Sequence, residues 1–182
     1  MGEVVKDYST HKPKESISQW LKLEEGTTTI RVLSHSYHFD SHYIKSENKS
    51  YDCAGNAQTC QYSQSGSRPR GRWAYVVLVR GDEITWKVSE LGWSIFETVL
   101  QLAKDPDYGD PRNYDLKITR KGSGRETSYT VIPGKAGKLP KAETDLLVVA
   151  GLDTVEKATD TLMSFYKREG TPSVEADNGK DE

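Results

Sequence analysis

A chain of 182 residues has room for one well-built core with appendages, but hardly for two full domains. Its composition, 35% hydrophobic and 29% charged, is globular but polar enough that part of the length is expected to stay outside a core, and no run of about 18 apolar residues is present to form a membrane span. The net charge of −2 hides an asymmetry: residues 20–139 carry 17 Lys/Arg against 14 Asp/Glu, whereas residues 140–182 carry 5 against 10. A mildly basic centre and an acidic end argue against dense coating of duplex DNA, yet leave room for a local groove that attracts phosphate.

Along the chain, residues 1–17 are polar and expected to be loose. They lack the apolar stretch of a signal peptide, and with Lys6 where a myristoylation signal wants Ser or Thr, a soluble cytoplasmic protein is the expectation. Ser16–Leu23 reads as a lead-in segment or a short helical turn, and Glu24-Glu25-Gly26 as a turn. Thr27–Leu33 alternates and is rich in β-branched residues, which predicts a strand; Ser34–Ile44 reads as a second, irregular one. Residues 45–71 are polar and glycine-rich with almost no aliphatics, a length of structureless chain that inside a domain is usually functional or flexible. The segments Arg72–Arg80 and Ile84–Val88 flank Gly81-Asp82-Glu83 and predict a hairpin.

Ser89–Lys104 predicts a helix, with Ser89 as N-cap, Leu91, Ile95, Val99 and Leu102 at helical spacing, and Trp93 and Phe96 widening that face. It stops at Asp105-Pro106. Tyr114–Arg120 and Thr127–Pro133 form a second hairpin around Lys121–Gly124, and residues 134–140 a linker. Residues 141–168 predict a terminal helix whose buried positions include Leu152, Val155, Leu162 and Phe165, and residues 169–182 an acidic disordered tail. Strand, irregular strand, hairpin, helix, hairpin is the order of a mainly β fold, a five-stranded oligonucleotide-binding (OB) barrel over residues 18–140, with a helix between strands 3 and 4, an inserted polar loop and a C-terminal helix. A helix packed on an open α+β sheet uses the same elements.

Aromatic and basic residues interleave on these strands. Trp73 and Tyr75 share one face of their strand, beside Arg72 on the other; Trp86 adjoins Lys87; Tyr114, Lys117, Arg120, Lys121, Arg125 and Tyr129 recur around the second hairpin. With Arg31, Tyr43 and the arginines 68, 70 and 72, they supply what single-stranded nucleic acid needs: rings for bases to stack on and cations for phosphates. The alternative for Trp73, Tyr75 and Trp86 is a place in the core, since aromatics favour strands anyway. For Arg68, Arg70 and Arg72 it is a solvated loop.

His35, His38 and His42 precede Cys53 and Cys60 within 26 positions, a donor set that could hold zinc and staple the polar loop. The two cysteines are not a CxxC pair, and free thiols or a disulfide are the alternatives. Nucleotide-binding, zinc-protease and serine-hydrolase motifs are absent, so no catalysis, small-molecule substrate or required cofactor is expected.

The stretch Trp20–Tyr43, the Cys-containing loop, the run Arg72–Pro133 with its DPDYGD, YDLKITRKGSG and TSYTVIP elements, and the acidic end together resemble tailed-phage single-stranded-DNA-binding proteins of the gene-32 type. The resemblance covers roughly residues 18–140 and the character of the tail. It implies an OB-fold, a DNA cleft lined by aromatic and basic residues, and roles in replication, recombination and repair. It also implies that the acidic end, here Glu175, Asp177, Asp181 and Glu182, recruits replication or recombination proteins. In many members a zinc knuckle follows the first strands; here it falls on His38 or His42, Cys53 and Cys60, with Ser63 where a final Cys is expected. The N-terminal basic segment of some members is poorly matched by Lys6, Lys12 and Lys14. The expected function is thus coating of single-stranded DNA with little sequence preference, with an RNA-binding barrel or an adaptor acting through its acidic tail as alternatives.

Overall fold

The run RWAYVVLVR forms most of β4 (Arg70–Arg80), and its unbroken apolar character reflects burial on both faces. A computed structural model describes residues 19–53, 55 and 58–168. Ahead of β4 come β1 (Gly26–Val32), β2 (Tyr37–Ile44), β3 (Lys49–Asp52) and a single helical turn, α1 (Gln61–Gln64). After it come β5 (Thr85–Gly92), α2 (Trp93–Lys104), β6 (Asp115–Lys121), β7 (Ser128–Pro133), α3 (Lys141–Ala150) and α4 (Val155–Arg168). All strand pairings are antiparallel, in the order β3-β2-β4-β1-β6-β7, with β5 on β4.

Tyr75 and Val77 of β4 face a core completed by Ile30, Val32, Leu91, Leu116 and Ile118 and closed by Ile95 and Val99 of α2. Ala74, Val76 and Leu78 face the other way, against Leu147 of α3, Leu152, and Ala158 and Leu162 of α4. The molecule is therefore three-layered, helix on sheet on helices. The expected C-terminal helix is two, divided at Gly151, which takes the left-handed conformation (φ 70°) while Leu152 N–H returns to Leu147 O at 2.8 Å. Its anticipated contacts hold for Leu152 and Leu162, which are buried, while Val155 and Phe165 are half-buried.

The sheet corrects the expected five-stranded closed barrel. It has seven strands and is open: β5 and β7, whose pairing would close the ring, are not paired to each other. The reason lies at Val88. Its N–H donates to Gln19 O at 2.7 Å and its C=O accepts from Leu21 N–H at 2.8 Å, so a parallel bridge from the lead-in segment already satisfies the outer edge of β5. Further on, Arg120 Nη1 of β6 donates to Leu23 O at 3.0 Å, so this segment ties both sides of the seam.

Two further expectations are revised. The helix begins at Trp93 with Gly92 as N-cap; Ser89 is a buried residue of β5, because Leu91 continues the strand by pairing with Trp73. The polar loop is also less bare than expected, since it contains β3 and α1. Beyond the sheet, Arg31 Nε and Arg80 Nε lie 2.7 Å from the two carboxylate oxygens of Asp115, and Arg80 also pairs with the buried Glu143, latching β1, β4 and β6 to α3. Among the described residues, no helix is long and apolar enough to cross a membrane.

If α3 and α4 are a structural layer, Leu162→Ala should destabilise the protein by about 2–5 kcal/mol in urea unfolding, as for other buried leucines. A chain ended after Leu139 should fail to give a cooperative transition, because Ala74, Val76, Leu78 and Val88 would lose their cover.

Candidate nucleic-acid interface and metal cluster

The unclosed seam is a groove of about 640 Å³. Glu90 and Gly92 of β5 and Ile95 of α2 line one side, Arg120 of β6 and Tyr129 of β7 the other. Its floor continues onto β2 and β4, where Phe39 and Arg72 are cross-strand partners, and Trp20 comes from the lead-in segment. Strand alternation places Tyr37, Phe39, Ser41 and Tyr43 on a common face of β2, so the exposed Tyr43 extends this floor outward. Arg70, paired with Ser41, continues the same face of β4 and is exposed.

The groove thus brings Arg72 of β4 to the cross-strand pair Arg120–Tyr129 of the β6–β7 hairpin. Arg120 Nε is buried there with no hydrogen-bond acceptor among the described residues. The lining also includes Lys22 and two acids, Asp52 and Glu90. Glu90 accepts a hydrogen bond from Tyr166 Oη at 2.8 Å, which fastens the end of α4 to the groove rim. Burial, reinforced by the Glu90 carboxylate, pushes the Tyr166 hydroxyl well above its ordinary range.

Other expected contact residues lie elsewhere. Arg31 is buried, donating to Asp115 and to Gly137 O at 3.0 Å. Tyr75 and Tyr114 are core residues, the latter donating to Gly109 O at 3.1 Å. Trp73 is half-buried and spent in a stack, parallel to Phe96 at 4.1 Å and 4.8 Å from His38. Trp86 is half-buried against the α3/α4 side, edge-on to Phe165 at 6.5 Å, and Lys87 is half-buried opposite Val77. Lys117 and Lys121 are exposed but alternate away from the core face that Leu116, Ile118 and Arg120 share. Arg125 is exposed in the short turn before β7, and Arg68 is exposed beside the metal cluster described below. Glu175, Asp177, Asp181 and Glu182 lie outside the described residues.

The groove uses rings not expected as ligand contacts: Trp20, Phe39, Tyr166 and Phe165, the last expected only as a buried position of the terminal helix. Period-two alternation along β2 was the signal for Phe39, whereas Trp20, in a short lead-in segment without a readable period, had none. Trp93, expected on the apolar face of its helix, is 54% exposed at the end of the Trp73–Phe96 stack.

A second cluster sits at the far end of β2. A ring nitrogen of His42 and the Cys53 and Cys60 sulfurs lie within 4.8 Å of one another, with His42 and Cys60 buried and neither cysteine in a disulfide. His42 Nε2 is 3.4 Å from Cys60 Sγ and 3.3 Å from Ser63 Oγ, while its Nδ1 meets Ser67 Oγ at 3.2 Å. One turn of α1 explains the spacing: Cys60 is its N-cap and Ser63 stands three residues on, the offset that brings side chains to one face. Donors around a tetrahedral zinc lie about 3.3–3.8 Å apart; the His42–Cys60 spacing falls in that range, the three-donor set is compatible with such an ion, and the Ser67 contact is the kind that orients a ligating imidazole. Burial raises the Cys53 thiol above its ordinary range, opposed by a backbone hydrogen bond from Gly55. Of the two candidate histidines, His42 joins the cluster; His38 lies beside Asp40, 3.8 Å away, and Trp73.

No family model, no curated protein and no solved structure matches the chain.

Burial pushes the Tyr75 hydroxyl up to about 12 from 10.0. The unfolded chain loses this proton first, so the contribution to stability is full below pH 10 and is lost as pH rises toward 12. Tyr75→Phe should therefore lessen the fall in urea midpoint measured between pH 9 and 11.5; an unchanged alkaline slope would show that Tyr75 is not buried as described.

Proposed function

We propose that this chain binds single-stranded DNA, without catalysis and with little sequence preference, in the groove at the open seam. The fold reads as an oligonucleotide-binding barrel unzipped between its third and fifth strands: β1, β4 and β5 give the first three strands, α2 the intervening helix, and β6 and β7 the last two. The observation that carries the proposal is the meeting of Arg72, Arg120 and Tyr129 at one trough, where the buried Arg120 Nε has no acceptor among the described residues. A buried donor without a partner costs about 1–3 kcal/mol, and a phosphate oxygen would satisfy it. Arg72 and Lys22 offer further phosphate contacts, and Tyr129 and Trp20 offer rings, each base stack contributing about 1–3 kcal/mol. Binding on these terms releases counterions and weakens as salt rises. The groove volume falls within the range of small-ligand sites, so it accommodates part of a strand at a time.

The last described turn of α4 lines the groove through Phe165 and Tyr166, and the acidic stretch 169–182 follows it in the sequence. In this reading that polyanion competes with DNA for the cationic trough and, once displaced, is free for replication or recombination proteins. We also assign zinc to His42, Cys53 and Cys60, where it would pin α1 and the polar loop to β2.

Titration with oligo-dT at two salt concentrations tests the groove. Arg120→Ala and Arg72→Ala should each weaken binding by roughly tenfold, about 1.4 kcal/mol, and reduce the salt slope by nearly one. Fluorescence quenching should persist in Trp73→Phe and diminish in Trp20→Phe; no binding at low salt would reject the proposal, and stronger binding to matched RNA would redirect it. Removal of residues 170–182 should tighten binding and flatten its salt dependence, and an isotherm identical to that of the full chain would show that the tail does not compete.

A further inference from the structure

The metal cluster supplies three strong donors, one imidazole nitrogen and two sulfurs, and its fourth direction is of a different kind. Ser63 Oγ lies on that side, 3.3 Å from His42 Nε2, and a neutral hydroxyl is a much weaker zinc donor than thiolate or imidazole. On the same side a cavity of about 400 Å³ reaches the cluster, with Cys53 and Ser63 on its wall together with Asp40, Ser67, Arg68 and Pro69. Structural zinc sites are closed by four protein donors; sites with three keep an exchangeable position.

We infer that the metal at His42, Cys53 and Cys60 has its fourth position open to this cavity and takes a small exchangeable anion there, a low-molecular-weight thiolate being the chemistry that fits. The inference rests on the zinc assignment above. Two thiolates already neutralise a divalent ion, so an added anion leaves the centre at −1; on the cavity wall the Arg68 guanidinium offsets that charge, while the Asp40 carboxylate on the same wall lies 3.8 Å from His38. Softness selects sulfur, since the ion already sits between two sulfurs. Exchange is a simple substitution: a bound water leaves, the thiol binds through sulfur, its proton passes to solvent, and no electrons move.

Cobalt(II) in the full chain tests this, because thiolate-to-cobalt charge transfer reports the two sulfurs and the visible ligand-field bands report the fourth position. The wild-type chain should show charge transfer, and thiocyanate should shift its visible bands saturably. Mercaptoethanol at one equivalent should add charge-transfer intensity, about half again for a third sulfur on top of two. Ser63→Ala should keep both responses; Ser63→Cys should gain the extra charge transfer at once and lose both. Absence of charge transfer in the wild-type chain would remove the metal assignment and this inference with it. Charge transfer without any response to thiocyanate, and with bands altered by Ser63→Ala, would leave the metal in place but show that Ser63 closes the site. A response to thiocyanate but none to mercaptoethanol would overturn the thiolate.

Discussion

The two backbone hydrogen bonds at Val88 decide the architecture. A sheet coiled this strongly would ordinarily bring its first and last strands into register and close. Here the outer edge of β5 is already paired with Gln19–Leu21, and β7 is left on the far side of a gap. The same short segment covers an edge that would otherwise invite association, and it sets the width of the groove. Because Leu23 O is also held by Arg120, the segment spans the gap without filling it.

Much of the fold was legible because hydrophobic period and turn chemistry agreed. Both hairpins, the helix over the core and the buried positions of Leu152 and Leu162 follow from local pattern. The reading was least informative where two explanations share a pattern. Trp73 and Tyr75 alternate with cations just as a stacking platform would, yet β4 is covered on both faces, and a ring on a doubly covered strand turns inward; Tyr114, just ahead of β6, is buried in the same core. Ser89 has the look of an N-cap, but Leu91 belongs to the strand ladder, and tertiary pairing overrides the local preference. The lead-in segment had no readable role at all, since a parallel bridge leaves no periodicity in three residues.

The charged residues divide in a similar way. Arg31 was expected to reach a ligand and instead, with Arg80, surrounds Asp115, while Glu143 extends the network into α3. Buried ion pairs of this sort add little net stability against an apolar alternative, but removing one partner strands the other and is costly. Their directional geometry therefore fixes where the C-terminal helices dock more than how firmly they do so. The arginines that remain at the groove are those on strand segments beyond the cover of α3 and α4. Position along β4, rather than residue type, separates Arg72 from Arg80.

Gly71 shows how a polar loop is held to account by the core. A Cβ atom at this position would stand 2.8 Å from the Trp73 ring, closer than such atoms tolerate, and a tight 3.3 Å from His38 Nε2. Even alanine would push the indole off Phe96 and, through it, tilt the start of α2. Exposed positions of residues 45–70 that neither join the His42/Cys53/Cys60 cluster nor line the groove can drift in sequence with little penalty to the body of the protein, but that latitude ends at Gly71. In a lineage of such chains, substitutions at those exposed positions should accumulate up to this glycine and stop there, a boundary drawn by the ring beneath it.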